Sequence, residues 1–186
     1  MQIRDAEDCD LEGITAIYND AVEHTTAIWN DTRIDVENRR AWLGDRRRAG
    51  YPVIVAVSAG GAVLGYASFG DWRAWDGYRH TVEHSVYVHA GQRGTGIGTA
   101  LIEALIPRAA ALGKHVMVAG IEAGNTGSIR LHEKLGFTQA GRLTEVGTKF
   151  GRWLDLLFLQ RMLDGAPAPG LTDADEGRPK RPESRP

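Results

Sequence analysis

The sequence predicts a mixed α/β domain whose central β-sheet has about seven strands and carries helices on both faces. Three observations predict it. Apolar residues recur at helical spacing in several windows, and short β-branched runs are punctuated by glycine turns. A strand, glycine loop, helix, strand unit also stands in the middle, with hairpins to either side. The 186 residues are 42% apolar and 25% charged, the profile of one globular domain. A chain of this size buries about two thirds of its unfolded surface and needs no disulfide or metal to fold.

Gln2 to Arg4 reads as a short first strand. Leu11, Ile14, Ile17, Tyr18, Ala21 and Val22 then share one helical face, with Asp8 or Asp10 as N-cap and an end near His24. A second helix runs from Val36 to Ala49. Asp35 caps it, Arg46, Arg47 and Arg48 suit the negative end of its dipole, and Gly50 stops it. That arginine run is a solvated helix end, too short for a polyanion patch. Val53 to Val57 and Val63 to Phe69 form a hairpin over the Gly60-Gly61 turn. A loop of aromatics and cations, Asp71 to His80, leads into a strand over Thr81 to Val88. The glycine-rich stretch Gly91 to Gly98 opens a helix over Thr99 to Leu112, where Pro107 removes one backbone hydrogen bond and predicts a kink. His115 to Ile121 is a strand, Ser128 to Leu135 a short helix before Gly136, and Phe137 to Glu145 and Trp153 to Leu163 are the last two strands.

Composition excludes several function classes. Lys and Arg number 22 against 24 acids, a net charge of −2, which argues against nucleic acid or an anionic membrane as partner. Cys9 is the single cysteine, so neither an intrachain disulfide nor a CxxC metal or redox pair exists, and no metal site is expected. The N-terminus lacks the apolar run of a signal peptide and no stretch reaches membrane-spanning length, which makes a reducing cytoplasm the expected home. The domain is expected over residues 1–164. From Gly165 to Pro186 five of the seven prolines occur, aromatics are absent and four acids cancel four bases, so 165–186 reads as a disordered tail.

Between its strand and its helix, Arg93-Gly94-Thr95-Gly96-Ile97-Gly98 can converge several backbone N–H groups and a helix dipole on one anion. A Walker loop would need lysine where Ile97 stands, and a dinucleotide fingerprint would need glycine at Thr99. The loop fits instead the Arg/Gln-x-x-Gly-x-Gly/Ala pattern and resembles the pyrophosphate loop of the GNAT superfamily of acetyl-CoA-dependent N-acetyltransferases. Asn125-Thr126-Gly127-Ser128 and Leu131-His132-Glu133-Lys134-Leu135-Gly136-Phe137 resemble that family's second cofactor motif. The plain alternative is a glycine turn needed only for close packing. Five further segments, at 28–31, 49–53, 65–73, 79–89 and 147–155, resemble the phosphinothricin acetyltransferase-like branch, nearest to methionine sulfoximine and methionine sulfone acetyltransferases. The resemblance spans about residues 2–163 and implies the GNAT fold.

Acetyl transfer from a thioester needs a neutral amine, a polarised carbonyl and a proton for the leaving thiolate. An α-amine titrates near about 8, so most acceptor arrives as ammonium and a base must take one proton. Alternation along Thr81 to Val88 places Glu83, Ser85 and Tyr87 on one face and Val82, His84, Val86 and Val88 on the other. A carboxylate inside an apolar strand is unusual, and Glu83 is the candidate general base, acting through a water. The other reading is a strand-end carboxylate paired with Arg79 or Arg73. His84 is either a second relay, sharing one amine with Glu83 only across a bulge, or a hydrogen-bonded histidine. Cys9 lies far from every cofactor motif, so direct transfer in a ternary complex is preferred over an acetyl-cysteine route.

The resemblance implies the remaining site residues. Val86, Tyr87 and Val88 would pair with the pantetheine arm of acetyl-CoA as an added strand. Arg93, Gly94, Thr95, Gly96, Ile97, Gly98 and Thr99 would cradle the pyrophosphate, and Asn125 and Ser128 would meet the pantetheine or acetyl end. His132 takes the position of the acid that protonates the thiolate, the alternative being a capping or packing histidine. Arg73, Ala74, Trp75, Glu83, His84 and Ser85 would line the acceptor pocket, with Lys149 and Phe150 completing it from the second subunit of a homodimer. From chemistry, Arg73 or Arg79 would grip an α-carboxylate, and Trp72, Trp75 and Tyr78 would wall an apolar or thioether side chain. The reading is N-acetylation of the α-amine of a small amino acid or analogue (methionine sulfoximine, methionine sulfone, phosphinothricin-like, or methionine). The alternatives are a protein or peptide N-acetyltransferase of the same fold and a non-catalytic CoA-binding protein.

Overall fold

A computed structural model describes residues 1–163. The expected tail over 165–186 and the domain end at 164 lie outside the described residues.

Seven strands form one sheet: β1 (Gln2–Asp5), β2 (Val53–Val57), β3 (Val63–Asp71), β4 (Thr81–Val88), β5 (Val116–Glu122), β6 (Thr138–Lys149) and β7 (Arg152–Met162). Their order is β1-β2-β3-β4-β5-β7-β6, antiparallel throughout except for the parallel pair β4 and β5. Four helices connect them: α1 (Leu11–His24), α2 (Val36–Arg48), α3 (Ile97–Ala111) and α4 (Thr126–Lys134). Helix α3 is the crossover that a parallel pair requires.

Strand alternation divides the core into two layers. Ile54 and Ala56 of β2 face Leu101, Ile102 and Leu105 of α3, while Val53, Val55 and Val57 face Leu11, Ile14 and Ile17 of α1 and Leu43 of α2. Ile129, Leu131 and Leu135 at α4 pack on the α3 side. The sheet therefore carries helices on both faces, as its near-continuous apolar strands require.

The local signals act as read. Asp35 accepts from the Asn38 N–H at 2.8 Å, and Gly50 adopts a left-handed conformation (φ 72°) just beyond α2. Pro107 is kept within α3. Asp10 precedes α1 but does not cap it with its side chain, because its carboxylate is taken by Arg4 at 2.6 and 2.8 Å and by the Glu7 N–H.

Strand β6 differs from expectation, continuing past Glu145 to Lys149. A bulge lies between Leu143 and Gly147, where Glu145 is left-handed (φ 53°) and its N–H is taken by Asp155 at 2.8 Å. Gly147, two residues past the expected strand end, is there for space: a Cβ would sit inside the Trp29 ring.

The pair β4 and β5 is short. Only Thr81, Val82 and Glu83 face partners, namely Val116, Met117 and Val118; beyond them the strands splay. The opening thus begins at Glu83 in the middle of the sheet.

Candidate active site

Two cavities meet at the splay. The larger, about 730 Å³, is lined by the end of β4, the glycine loop and α4. The smaller, about 330 Å³, holds Glu83, His84 and Ser85 of β4, Gly120 and Glu122 of β5, and Ile28 and Trp29 from the segment after α1. Ala27, Val86, Tyr87, Asn125 and Ser128 line both, so the two are halves of one passage.

The larger half suits a polyphosphate. Gly94 and Gly96 have φ of 80° and 89°, a conformation costly for any residue with a Cβ, and nothing approaches the space a Cβ would fill. Gly96 also sits at the N-cap of α3, so the loop presents backbone N–H groups together with the positive end of the helix. Arg93, Arg130 and Lys134 line this half and no acid does. Arg93 is meanwhile tied to Asp20 of α1 at 2.7 Å.

Every expected cofactor residue lines this half except Thr95 and Ile97. The Thr95 hydroxyl donates to the Gln92 carbonyl, and Ile97 is buried in the α3 core, which leaves Ile97 only its backbone to offer a ligand. Asn125 spends its side-chain oxygen capping α4 through the Ser128 N–H at 3.1 Å and keeps its amide N–H groups for the cavity. Sequence reasoning missed Arg130 and Lys134. Their i,i+4 spacing on the helix that opens with Asn125 was the available signal.

The smaller half contains two carboxylates with different fates. Glu122 has both oxygens engaged, one by the Thr26 hydroxyl at 3.0 Å and one by the Gly124 N–H at 2.8 Å. Glu83 has no hydrogen-bond or ion-pair partner among the described residues, so it is not the paired strand-end carboxylate of the alternative reading. Burial raises its pKa, and the charge of Arg73 only partly opposes this. A half-buried, unpaired carboxylate of raised pKa is suited to accept a proton near neutrality.

His84 lies on the opposite face of β4, as alternation requires, and the register of β3 with β4 is free of bulges. The splay, not a bulge, brings both faces to one cavity. His84 stacks on His132 with Nε2 atoms 3.1 Å apart. The tautomers follow from the partners: His132 Nδ1 donates to the Ser128 carbonyl at 2.7 Å, so its Nε2 must accept, and His84 Nε2 must donate to it. His84 Nδ1 is then a buried lone pair without a partner among the described residues. Burial, with His132 second, lowers the His84 pKa to about 3, and burial lowers that of His132. Both imidazoles are neutral, and His132 has no N–H free for a leaving sulfur.

The expected acceptor residues separate. Glu83, His84 and Ser85 line the smaller half and Arg73, Ala74 and Trp75 do not, while Lys149 and Phe150, expected from a second subunit, lie outside the cavity of their own chain. Arg73 stacks over Trp72 at 4.4 Å, Arg79 bonds the Asp76 carbonyl, and Trp75 is 74% exposed. Lys149 is buried in its own chain, its ammonium donating to the Ile28 carbonyl, and burial lowers its pKa. It holds the wall that Trp29 completes. Phe150 is exposed in the left-handed turn of the β6–β7 hairpin.

The 72–80 loop is tied at both ends. The Tyr51 hydroxyl donates to Asp71, Lys114 donates to the Arg79 carbonyl at 2.6 Å and lies 3.2 Å from the Tyr51 oxygen, and His80 Nδ1 is 3.1 Å from the Gly113 carbonyl. Burial and Asp71 push the Tyr51 pKa up to about 12, so this hydroxyl stays a donor.

Residues 14–137 match the model of the Acetyltransferase (GNAT) family. The chain belongs to that family. L-methionine sulfoximine/L-methionine sulfone acetyltransferase of Pseudomonas aeruginosa is 62% identical over 162 residues, 87% of this acetyltransferase and 94% of that protein. The structure of yncA from Salmonella typhimurium with its cofactor acetyl-CoA superposes with a TM-score of 0.89 at 56% identity, covering 92% of this chain and 99% of that one. A phosphinothricin acetyltransferase from Sinorhizobium meliloti in complex with acetyl-CoA gives 0.88 at 38% identity, over 92% and 93%. The GNAT fold and acetyl-CoA-dependent N-acetyl transfer are thereby this protein's own. No helix among the described residues is long and apolar enough to cross a membrane.

Proposed function

We propose that this acetyltransferase acetylates the α-amine of a small amino acid or analogue, with methionine sulfone and methionine sulfoximine as first candidates, by direct transfer with Glu83 as general base. The observation that carries the reading is the unpaired Glu83 carboxylate, half-buried where the two cavities meet. The similarity to the Pseudomonas aeruginosa enzyme supports the acceptor class.

Acetyl-CoA supplies the acetyl group activated as a thioester. Gly94, Gly96 and Gly98 at the α3 N-terminus, with Arg93, Arg130 and Lys134, hold its phosphates. Beyond Glu83 β4 has no strand on its β5 side among the described residues, so backbone groups from Val86 to Val88 would bind the pantetheine arm and one N–H would polarise the thioester carbonyl. Glu83 takes a proton from the ammonium, directly or through water. The freed amine forms the C–N bond as the C–S bond breaks, and the nitrogen's second proton matches the one the thiolate needs. Cys9 is exposed, lines neither cavity and plays no covalent part.

A two-fold homodimer completes the proposal. The β6–β7 hairpin exposes Leu143, Val146, Phe150 and Trp153, the last at 66%, a run that a second copy would cover.

Incubation with acetyl-CoA and a panel of amino acids tests the reading by release of CoA thiol. Methionine sulfone and methionine sulfoximine should raise release well above the hydrolysis blank. Release with peptides but with no free amino acid would give the acceptor class to the peptide reading.

A further inference from the structure

We propose that Asp20 of α1 is a counter-charge to the cofactor site: it holds Arg93 from outside the passage and so lowers the affinity of that site for acetyl-CoA and CoA alike. The inference rests on the reading above in which Arg93 meets the cofactor's phosphates, and adds what limits the strength of that hold.

Arg93, Arg130 and Lys134 line the larger half. Of the three, only Arg93 has a carboxylate partner among the described residues, its Nη2 donating to Asp20 Oδ2 at 2.7 Å. Arg93 Nε donates to the Val88 carbonyl at 3.4 Å, and Nη1 has no partner among the described residues. The guanidinium is thus held along one edge, with both N–H groups of Nη1 left for a ligand. Ala21 and Thr25 of the same helix end line this half, yet Asp20 does not. Asp20 therefore meets a ligand only through Arg93, which makes it a positioning residue.

A phosphate that takes Arg93 must share it with Asp20. The carboxylate also has His24 Nδ1 at 3.2 Å from its other oxygen, a second neighbour that keeps it in place while the guanidinium serves the ligand. Two anions on one guanidinium repel each other, which offsets part of what the cation contributes. Both side chains are partly exposed, so the effect has the size of a surface pair and weakens with salt. Acetyl-CoA and CoA carry the same phosphates, and Asp20 acts on substrate and product equally. A fully unopposed set of cations would tighten the grip on both, binding that does nothing for the chemical step. Sequence reasoning missed Asp20 because it lies 73 positions from Arg93.

The test measures Kd for acetyl-CoA and for CoA by calorimetry with the full chain at 0.02 M and 0.5 M NaCl. Asp20→Asn keeps an oxygen for Arg93 and removes the charge. It should tighten both ligands by the same factor, about twofold to fivefold at low salt, the range for an exposed ion pair, and the gain should fade at 0.5 M. Glu23→Gln makes the same charge change on the same helix, in a pair with Arg33 that lines neither cavity, and should leave both Kd values unchanged. Arg93→Gln should weaken binding, and in that background Asp20→Asn should no longer tighten it. Unchanged or weaker binding in Asp20→Asn would overturn the counter-charge and make the pair a tether between α1 and the glycine loop. An equal gain in Glu23→Gln, or a gain that persists without Arg93, would overturn it as well. In each of these cases Arg93 keeps its place at the phosphates if Arg93→Gln binds more weakly than wild type. An Arg93→Gln protein that binds both ligands as wild type does would bring down that reading and the proposal together.

Discussion

The two faces of strand β4 use the same device, a titratable side chain in an apolar strand, and reach opposite results. On the α3 side His84 is stacked on His132, neutral and committed to its partner. On the other side Glu83, one residue away, is half-buried with no partner among the described residues. Burial acts on both, and it keeps each group in its uncharged form over a wider pH range. What differs is whether a hydrogen-bond partner arrives with the fold. A satisfied group becomes part of the frame, whereas an unsatisfied one at a cavity is held ready for a proton that only the acceptor brings.

The sharpest way to break this contrast is to neutralise Glu83. Glu83→Gln should lower kcat/KM for the acceptor by about 10² to 10⁴, the range for a lost general base, with acetyl-CoA affinity by calorimetry unchanged. Turnover within twofold of wild type would remove the difference between the faces. On the other face His132→Ala should act on stability. It strands the His84 N–H in a buried site and opens a cavity, which costs about 2 to 4 kcal/mol in denaturant titration. A loss of turnover with no loss of stability would instead make His132 part of the chemistry.

Acid sharpens the comparison through linkage. With a folded pKa of about 3 against about 6.5 unfolded, His84 contributes stability that is present above pH 6.5 and is lost as pH falls toward 3. At pH 4.5 the loss is roughly 2 to 3 kcal/mol. Glu83, its pKa raised, works in the opposite sense, so the Glu83→Gln background should show the acid loss more steeply. A stability flat from pH 7 to 4.5 in that background would mean that the histidine pair is not neutral. The smallest effect is expected outside both faces, at the tie of the acceptor loop. Lys114→Met frees the Arg79 carbonyl and should raise the acceptor KM about threefold to tenfold, within the usual worth of a charge-assisted bond, while the acetyl-CoA KM stays put. Equal shifts in both would place Lys114 in the fold at large.

Much of this was legible in the sequence because it is local. The Asp35 cap, the Gly50 stop and the glycine loop each depend on a few neighbouring residues, and alternation alone put Glu83 and His84 on opposite faces. The length of β6 was not legible, because the need for glycine at 147 is set by Trp29, more than a hundred residues earlier. The pairing of His84 with His132 likewise joins positions 48 apart. Arg73 and Trp75 were placed in the pocket by their chemistry, yet the loop that carries them is tied at its ends and leaves them outside the cavity that holds Glu83. The splay itself has no sequence signature, since pairing simply stops after three residues.

That early stop makes the sheet a structure with an edge in its middle. Strand edges invite another extended chain, and proteins usually blunt them with charge, proline or a covering loop. This one is left bare inside the fold, beside the passage, and on the proposed reading the pantetheine arm of acetyl-CoA would complete it. Binding and folding are then linked by mass action: a ligand held at a hundred times its Kd adds about 2.7 kcal/mol to the folded state. On that reading the enzyme should be most stable when loaded with acetyl-CoA.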